Sequence, residues 1–429
     1  MKAIILAAGK GLRLRPITET RPKPLIPILC KPLLQWQLEA LAGIDEIDEV
    51  IIVVSYLKEK VEQFIRKVNV PFKITLLDQG EELGTGDAVL KAIRKKGIDE
   101  KTLIIYGDIF LKDWNKLKQL FLTRKNSIVG VEVDNPSDYG VIIVDENNSF
   151  KGIIEKPAIP PSSLINAGIY FLDARDILKH SDIEPSPRGE LEFTDILTSM
   201  ARNGIEIKVY QLNKGEWIDI GKPWHLLDAN RMALENISTK IMGSIEPGAH
   251  VHGRVFVGED TIIKSGTYID GPVYIGKNTV IGPNAYLRPY SVICDGSKIG
   301  FSVEVKSSLI MENVHISHLS YVGDSIICEH VNFGAGTITA NLRFDDKPVK
   351  MYIRGKKESS GRRKLGAIIG AYVKTGINVS FMPGVKIGSH SWIAPGAIVY
   401  KDIPPRSFYR WMGIGYIENL KENQKIRDK

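Results

Sequence analysis

Cysteine is scarce in this sequence. Three are spread over 429 residues, Cys30, Cys294 and Cys328, with no CxxC spacing. That argues against a disulfide framework and against a cysteine-ligated zinc site, and leaves buried or incidental thiols as the expectation. Long apolar runs are missing as well: none approaches the roughly 20 residues that a membrane-spanning helix needs. The N-terminus, MKAIILAAGKG, lacks the small-residue cleavage site of a signal peptide and reads as a first β-strand. A cytoplasmic protein without membrane partners is expected. The formal charge of +7 comes without an aromatic-interleaved basic stripe, so nucleic acid is not an expected partner; phosphorylated small molecules also draw lysine and arginine. What remains, 43% apolar and 25% charged residues, is ordinary globular composition, and the length accommodates two or three domains.

Residues 1 to about 230 alternate apolar runs with helical patterns. Strands are expected at Ala3–Leu6, Val50–Val54, Leu103–Tyr106, Ser127–Val133 and Ile169–Leu172, and helices at Leu33–Ala42, Lys58–Val68 and Asp87–Lys95. That alternation predicts an α/β domain with a mostly parallel sheet covered on both faces, its ligands bound beyond the carboxyl ends of the strands. A helical connector, Trp224–Asn236, follows, and the character then changes. An aliphatic residue followed by glycine recurs at Val257-Gly258, Ile275-Gly276, Ile281-Gly282, Ile299-Gly300, Ile369-Gly370 and Ile387-Gly388. Within each set the spacings are multiples of six, the mark of a hexapeptide β-helix. A charged stretch, Arg354–Lys364 (RGKKESSGRRK), interrupts the repeat. It reads as a solvated excursion, with a phosphate clamp as the sharper alternative.

The first strand runs into LAAGKGLRLRP (Leu6–Pro16), a glycine-rich turn whose backbone N–H groups can approach phosphate oxygens. It fits neither standard nucleotide fingerprint, since Leu14 stands where a Rossmann glycine belongs and no GxxxxGK[ST] occurs. Arg13 and the stiff RPKPL segment (Arg21–Leu25) add two cations, Arg13 and Lys23, suited to a triphosphate being split.

With the motifs that follow, residues 1–225 resemble the sugar-phosphate nucleotidylyltransferase family. The likeness is carried by GKGLRLRPIT, RPKPL, ELGTGDAV (Glu82–Val89), YGDIF (Tyr106–Phe110), EKP (Glu155–Pro157), NAGIY (Asn166–Tyr170) and WIDIGKP (Trp217–Pro223). It implies that Leu6, Ala7, Ala8, Gly9 and Gly11 cradle the nucleotide and that Arg13 and Lys23 hold and activate its triphosphate. By the same resemblance Gln79, Gly84 and Thr85 read the base, where a glutamine amide matches the edge of uracil or thymine. Tyr106, Gly140, Glu155, Lys156 and Asn166 would form the sugar-phosphate pocket. Asp108 and Asp219 would bind Mg²⁺, an ion that takes hard oxygen ligands and neutralises developing charge. Two departures, Leu12 for a small hydroxyl residue and Lys222 for a common threonine, bear on nucleotide preference rather than reaction class.

The repeats alone leave a trimerisation stalk open. The strings LRP (Leu287–Pro289), EVK (Glu304–Lys306), SHLSYVGD (Ser317–Asp324) and NFGAGTITAN (Asn332–Asn341) depart from pure packing. They resemble the acetyltransferase half of bifunctional N-acetylglucosamine-1-phosphate uridylyltransferase/glucosamine-1-phosphate acetyltransferases. The resemblance makes His318 a general base, work for which an imidazole is suited at neutral pH. It implies that Arg288, Lys306 and Lys347 hold the sugar phosphate and that Tyr321 and Asn332 line its pocket. Asn341 would stand near the acetyl-CoA thioester, with Ala335 and Ala394 bordering that co-substrate. The match weakens after Asn341, where the charged stretch has no counterpart and Ile377 replaces a small or polar residue.

The expected architecture is therefore an α/β, Rossmann-like nucleotidyltransferase domain over 1–236, a left-handed parallel β-helix over 237–405 and a tail over 406–429 that packs on a neighbouring coil or subunit. The leading reading is a bifunctional enzyme that acetylates glucosamine 1-phosphate and couples a sugar 1-phosphate to UTP or dTTP, working as a homotrimer through the β-helix. A monofunctional glucose-1-phosphate thymidylyl- or uridylyltransferase with a structural β-helix is the second reading. A regulatory scaffold like those in some translation-initiation exchange factors is the third, and the presence of Arg13, Lys23, Asp108 and Asp219 speaks against it. A fragment ending near Asn236 is expected to fold and to keep pyrophosphate release, and one starting near Lys240 to be a trimer that keeps acetyl transfer.

Overall fold

The computed structural model describes residues 1–118, 124–186 and 189–419. Two compact units emerge, and neither is contiguous in sequence. The first comprises Met1–Lys10, Pro22–Leu25 and Pro32–Asp219; the second comprises Gly11–Arg21, Ile26–Lys31 and Ile220–Lys429.

A nine-stranded sheet forms the first unit. Along its main path the order is Phe150–Glu155, Gly140–Val144, Leu164–Asp173, Lys101–Tyr106, Lys2–Leu6, Glu49–Val54, Lys73–Asp78. From Lys101–Tyr106 onward the pairs are parallel, and around Leu164–Asp173 they are antiparallel. The parallel strands are apolar on both faces because both faces are covered. Alternate residues separate cleanly: Ala3, Ile5, Val50, Ile52, Leu103 and Ile105 pack with Leu34, Leu38 and Leu41 of the helix Leu33–Ala42. Ile4, Ile51, Val53 and Ile104 pack instead with Val89 and Ile93 of the helix Thr85–Lys96. That is the period-2 alternation of a strand meeting the 3.6-residue stripe of a helix. Each such aliphatic side chain contributes about 1.5–3 kcal/mol by leaving water.

The expected strands and helices in this unit are present with shifted ends. The helix expected over Lys58–Val68 stops at Ile65, before Pro71. Strands Lys73–Asp78 and Phe150–Glu155 carry charged residues at one or both ends, which masked them in the sequence, and the short strand Gly140–Val144 also went unread.

The second unit is dominated by three stacked parallel sheets of eight, ten and eight strands, the β-helix that the hexad phase predicts. One ladder runs Val257, Ile275, Ile293, Ile310, Ile327, Ile369, Ile387. Successive members are one coil apart, except where the chain leaves the prism between Ile327 and Ile369. Inside lies a continuous aliphatic stack including Val255, Ile263, Ile269, Ile281, Ile299, Ile316, Val379 and Ile393. The last strand of the ten-stranded sheet pairs with its predecessor antiparallel, Ser407–Met412 with Ile414–Asn419. The expectation for the tail beyond 419 lies outside the described residues.

The charged excursion Arg354–Lys364 is mostly exposed, as a solvated excursion should be, yet it is ordered. Its Lys356–Ser359 pairs as a hairpin with Lys350–Ile353, and Val349, Met351, Ile353 and Leu365 flanking it are buried. Arg362 pairs with Asp228, and Lys222 reaches Glu358 at 3.1 Å. Alternating apolar residues within a lysine-rich run went unread because the charges dominate its composition. The cysteines also depart from expectation. Cys30 and Cys294 form a disulfide across 264 residues, and Cys328 alone is free and buried. Local spacing carries no signal for a pair that meets only in space. No described helix is long and apolar enough to cross a membrane.

Candidate active sites

In the first unit the central strand Lys2–Leu6 delivers its last residues to the carboxyl edge of the parallel sheet, the usual ligand position. Leu6 O accepts from Gly107 N at 2.8 Å, and Ala7 N donates to Val53 O at 2.8 Å. Ala7 and Ala8 are buried, while nothing lies within 4 Å of the space a Cβ would occupy on Gly9. The backbone there is open to a ligand.

Asp108 occupies the turn between the strands Lys101–Tyr106 and Ile109–Leu111, and the Lys23 ammonium pairs with its carboxylate. The strand Trp217–Asp219 runs antiparallel to Ile109–Leu111 with Asp219 opposite Ile109. Register therefore sets the second carboxylate beside the residue that follows the first. Asp219 also accepts a 2.7 Å hydrogen bond from the Tyr139 hydroxyl. The described residues contain no group of three or more His, Cys, Asp or Glu suited to a metal. Two carboxylates fit a magnesium ion that takes its remaining ligands from phosphate oxygens and water.

Gln79 is buried, and its amide nitrogen donates to Gly84 O at 3.1 Å and to Asp87 Oδ2 at 2.9 Å. Those bonds fix which way the amide faces. Gly84 has φ 108°, and a Cβ on it would fall 2.5 Å from Leu191 O, so only glycine fits this entry to the helix. Thr85 Oγ1 accepts from Phe193 N at 3.0 Å. A buried hydroxyl relay starts there: Thr85 to Tyr106, Tyr106 to Tyr170, and Asn166 Nδ2 to Tyr170 Oη at 2.6 Å. Burial pushes the Tyr106 hydroxyl up to about 12 and raises the Tyr170 hydroxyl well above its ordinary range, so both stay protonated near neutral pH. Gly140 pairs with Glu155 across two strands, and Thr194 Oγ1 reaches Glu155 Oε1 at 3.2 Å. Lys156 follows with a left-handed backbone, φ 45°, and an exposed side chain.

Gly11 and Arg13 fall in the second unit. Gly11 has φ 61°, and its carbonyl accepts from Thr18 Oγ1 at 2.8 Å; a Cβ on it would stand 2.8 Å from Thr18 Cγ2. Arg13 is exposed on the short 3₁₀ turn Leu12–Leu14.

On the β-helix, coil register aligns the predicted acetyl-transfer residues. Arg288 N donates to Val305 O at 2.8 Å, placing Arg288 next to Lys306 one coil on. Arg288 pairs with Glu304 at 2.8 Å and Lys306 with Asp324 at 3.1 Å. Asn341 Nδ2 donates to Asp324 Oδ2 at 2.6 Å and to Tyr321 Oη at 3.1 Å. Asp324 is buried, so this one carboxylate ties Lys306 and Asn341 together, with Arg362 at 4.0 Å. Burial raises the Tyr321 hydroxyl, although the Asn341 bond opposes that. His318 is exposed, stands beside Phe301 of the preceding coil, and its ring makes no hydrogen bond among the described residues. Asn332 is exposed and aligned with His315 rather than with His318. Ala335 O accepts from Asn378 N at 2.7 Å, and Ala394 N donates to Tyr409 O at 2.9 Å, with exposed Ile377 on the coil between. Lys347 lies apart, lining a cavity of about 440 Å³ with Arg343, Asp345, Lys350 and Lys357.

Four residues of these sites escaped the sequence reading. Asp87 orients Gln79, Tyr170 completes the hydroxyl relay, Asp324 holds Lys306 and Asn341, and Arg362 joins it from the excursion. Asp324 follows directly on Gly323, the register partner of Lys306 on the next coil.

Comparison with known proteins adds the family. The Nucleotidyl transferase family matches residues 2–236, and the GMPPB C-terminal domain family matches residues 269–382. A protein of Sulfurisphaera tokodaii described as a bifunctional sugar-1-phosphate nucleotidylyltransferase/acetyltransferase is 50% identical over 96% of this chain and 100% of its own length. Proteins described as bifunctional protein GlmU are 49% identical in Methanocaldococcus jannaschii and 48% in Methanococcus aeolicus, each over 95% of this chain and 97% of its own length.

Proposed function

Because the chain belongs to the family of bifunctional sugar-1-phosphate nucleotidylyltransferase/acetyltransferases, we propose how its residues divide the two reactions. It is an enzyme of that kind, which favours the bifunctional reading over a single activity on a structural stalk. The substrates we assign are acetyl-CoA with glucosamine 1-phosphate or another amino-sugar 1-phosphate, and then UTP or dTTP with a sugar 1-phosphate.

For nucleotidylyl transfer, the backbone of Leu6, Ala7, Ala8, Gly9 and Gly11 receives the nucleotide, and Gln79 with Gly84 and Thr85 reads the base. Gln79 spends its N–H groups on Gly84 O and Asp87, which leaves the amide oxygen to accept from a pyrimidine imide. Tyr106, Gly140, Glu155, Lys156 and Asn166 bind the sugar phosphate, whose oxygen attacks the α-phosphorus in line. Arg13 and Lys23 hold the triphosphate, Lys23 moving from Asp108 to phosphate as the carboxylates take up the metal. When bound by Asp108 and Asp219, magnesium neutralises the charge that grows on the leaving pyrophosphate.

For acetyl transfer, Arg288 and Lys306, with Lys347, hold the sugar phosphate, and Tyr321 and Asn332 line the pocket. His318 takes the proton from the sugar amine as its nitrogen attacks the thioester carbonyl. Asn341, fixed through its nitrogen, keeps its oxygen for that region, and Ala335 and Ala394 border acetyl-CoA. Among the described residues no hydrogen bond orients the His318 ring, which supports a cleft completed by a neighbouring copy in a homotrimer. We place the enzyme in the cytoplasm, where nucleoside triphosphates and acetyl-CoA are made.

The observation that carries the bifunctional reading is buried Asp324 binding Lys306 and Asn341. A packing stalk gains nothing from a desolvated carboxylate with two polar partners. The test is one preparation assayed two ways: thiol release from acetyl-CoA with glucosamine 1-phosphate, and pyrophosphate release over a panel of triphosphates and sugar phosphates. Both activities are expected. Pyrophosphate release without thiol release from any amino-sugar phosphate would return the β-helix to a structural role.

A further inference from the structure

The loop that bears Arg13 rests on an ionic network inside the second unit that neither reaction, as assigned above, uses. Arg21 makes a two-pronged contact with Glu312, Nη1 to Oε1 at 3.2 Å and Nη2 to Oε2 at 2.7 Å. The same Nη2 lies 3.3 Å from Glu329 Oε2. Thr20 Oγ1 donates to Glu329 Oε1 at 2.8 Å, and Glu19 Oε2 accepts from Ser389 N at 2.7 Å. Three consecutive residues, Glu19, Thr20 and Arg21, are thus each tied to β-helix coils, at residues 312, 329 and 389. Further along the loop, Thr18 is fully buried and bonds the Gly11 carbonyl, while Leu14 and Ile17 are buried beside it.

We infer that Glu312 and Glu329 are positioning residues for nucleotidylyl transfer, acting through Arg21 and Thr20 to hold the loop that presents Gly11 and Arg13. The inference rests on the triphosphate role proposed for Arg13. Its physical ground is the kind of contact used. Burial by itself lowers the Arg21 guanidinium, yet the Glu329 and Glu312 carboxylates more than reverse this and hold it above its ordinary range. Buried charges of this sort stabilise no better than apolar side chains of the same volume. What they add is direction: a planar guanidinium gripped at two nitrogens by one carboxylate and approached by a second fixes both angle and depth. A loop that must deliver a cation to a triphosphate needs that constraint, because an error of about 1 Å in a reacting complex can cost roughly 100-fold in rate.

The test uses full-length Glu312→Gln, Glu329→Gln and Thr20→Val, with KM and kcat for the triphosphate, thiol release from acetyl-CoA and the melting midpoint measured for each. Glu312→Gln is expected to lower kcat/KM for the triphosphate by about 10–100-fold, chiefly through KM, and Glu329→Gln by less. Thr20→Val removes the hydrogen bond to Glu329 while keeping the side chain's shape, and folds; its KM is expected to rise a few-fold, an effect set by about 1 kcal/mol. A purely structural network would instead reduce the amount of active enzyme, lowering both kcat values together and leaving KM alone. Wild-type KM in Thr20→Val, together with wild-type KM in whichever glutamine variant folds, overturns the inference. Absence of pyrophosphate release from the wild-type protein would count against the assigned reaction instead.

Discussion

The two candidate sites are built on opposite plans. In the α/β unit, residues far apart in sequence converge because seven connected strands end at one edge, and the convergence is stabilised by buried polar chains. Thr85, Tyr106, Tyr170 and Asn166 form one such chain, and Gly84, Gln79 and Asp87 another. On the β-helix, convergence is a matter of counting. Arg288 and Lys306 lie one coil apart, and the corner of the next coil brings Asp324 against Lys306, so a regular backbone assembles them. The first plan gives a site whose groups are locked by many partners. The second gives two anchored cations, Arg288 and Lys306, and an exposed candidate base, His318, whose ring makes no hydrogen bond among the described residues.

That contrast is broken most severely at His318. Replacing it with alanine should lower acetyl transfer by about 10²–10⁴-fold, the usual contribution of a general base, with pyrophosphate release within twofold of wild type. Thiol release from acetyl-CoA and glucosamine 1-phosphate reads the effect directly. Undiminished release would make His318 a surface residue and would leave the β-helix without its proton acceptor.

The next largest effect should come from the metal carboxylates. Asp108→Ala and Asp219→Ala are each expected to cut magnesium-dependent pyrophosphate release by roughly 10²–10³-fold, the scale for losing one element of transition-state charge stabilisation. Asp108→Ala should also free Lys23 from its ion pair, so its residual activity should depend less on magnesium concentration. Acetyl transfer serves as the control. If both variants turn over normally, the ion does not sit on these residues.

The comparison also shows why the two halves were unequally legible. The β-helix announced itself through Val257-Gly258, Ile275-Gly276 and their successors, because a prism repeats its core residue every six positions and the observed ladder runs through those same side chains. In the α/β unit, spacing said little: Gln79 and Asp87 or Asp108 and Asp219 meet only after the sheet has formed, and family motifs rather than periodicity pointed to three of those four. Two things were invisible to either approach. The pairing of Cys30 with Cys294 and the attachment of Glu19, Thr20 and Arg21 to distant coils are facts of tertiary structure.

That attachment changes what truncation should do. A fragment ending near Asn236 keeps the motifs of nucleotidylyl transfer yet removes Glu312, Glu329, Ser389 and Cys294, the partners of the segment around Arg13. Its Arg21, no longer covered by those coils, would lose both carboxylates that fix its position. Pyrophosphate release per mole of fragment should therefore fall about tenfold or more below the full chain, contrary to what an independent N-terminal domain would give. Equal specific activity in fragment and full chain would show that the loop holds its shape unaided.

The smallest effect expected concerns the disulfide, and it separates stability from catalysis. Linking Cys30 to Cys294 closes a loop of more than two hundred residues, and constraint of the unfolded chain on that scale typically stabilises by about 2–4 kcal/mol. For a unit of some two hundred residues this corresponds to a melting midpoint about 5–15 °C lower in Cys30→Ser than in the oxidised wild type. Both activities at 25 °C should stay near wild type, because neither cysteine is placed in either site. Thiol counting checks the premise: one of the three cysteines should react after unfolding without reductant, and none in the native protein. The native silence follows from Cys328, whose thiol is raised well above its ordinary range by burial and then by Glu329, and so presents no thiolate. Three reactive thiols on unfolding, or identical melting of Cys30→Ser and oxidised wild type, would mean that the β-helix holds the Ile26–Lys31 segment by packing and hydrogen bonds alone, such as Leu29 N to Asn230 Oδ1 at 2.9 Å.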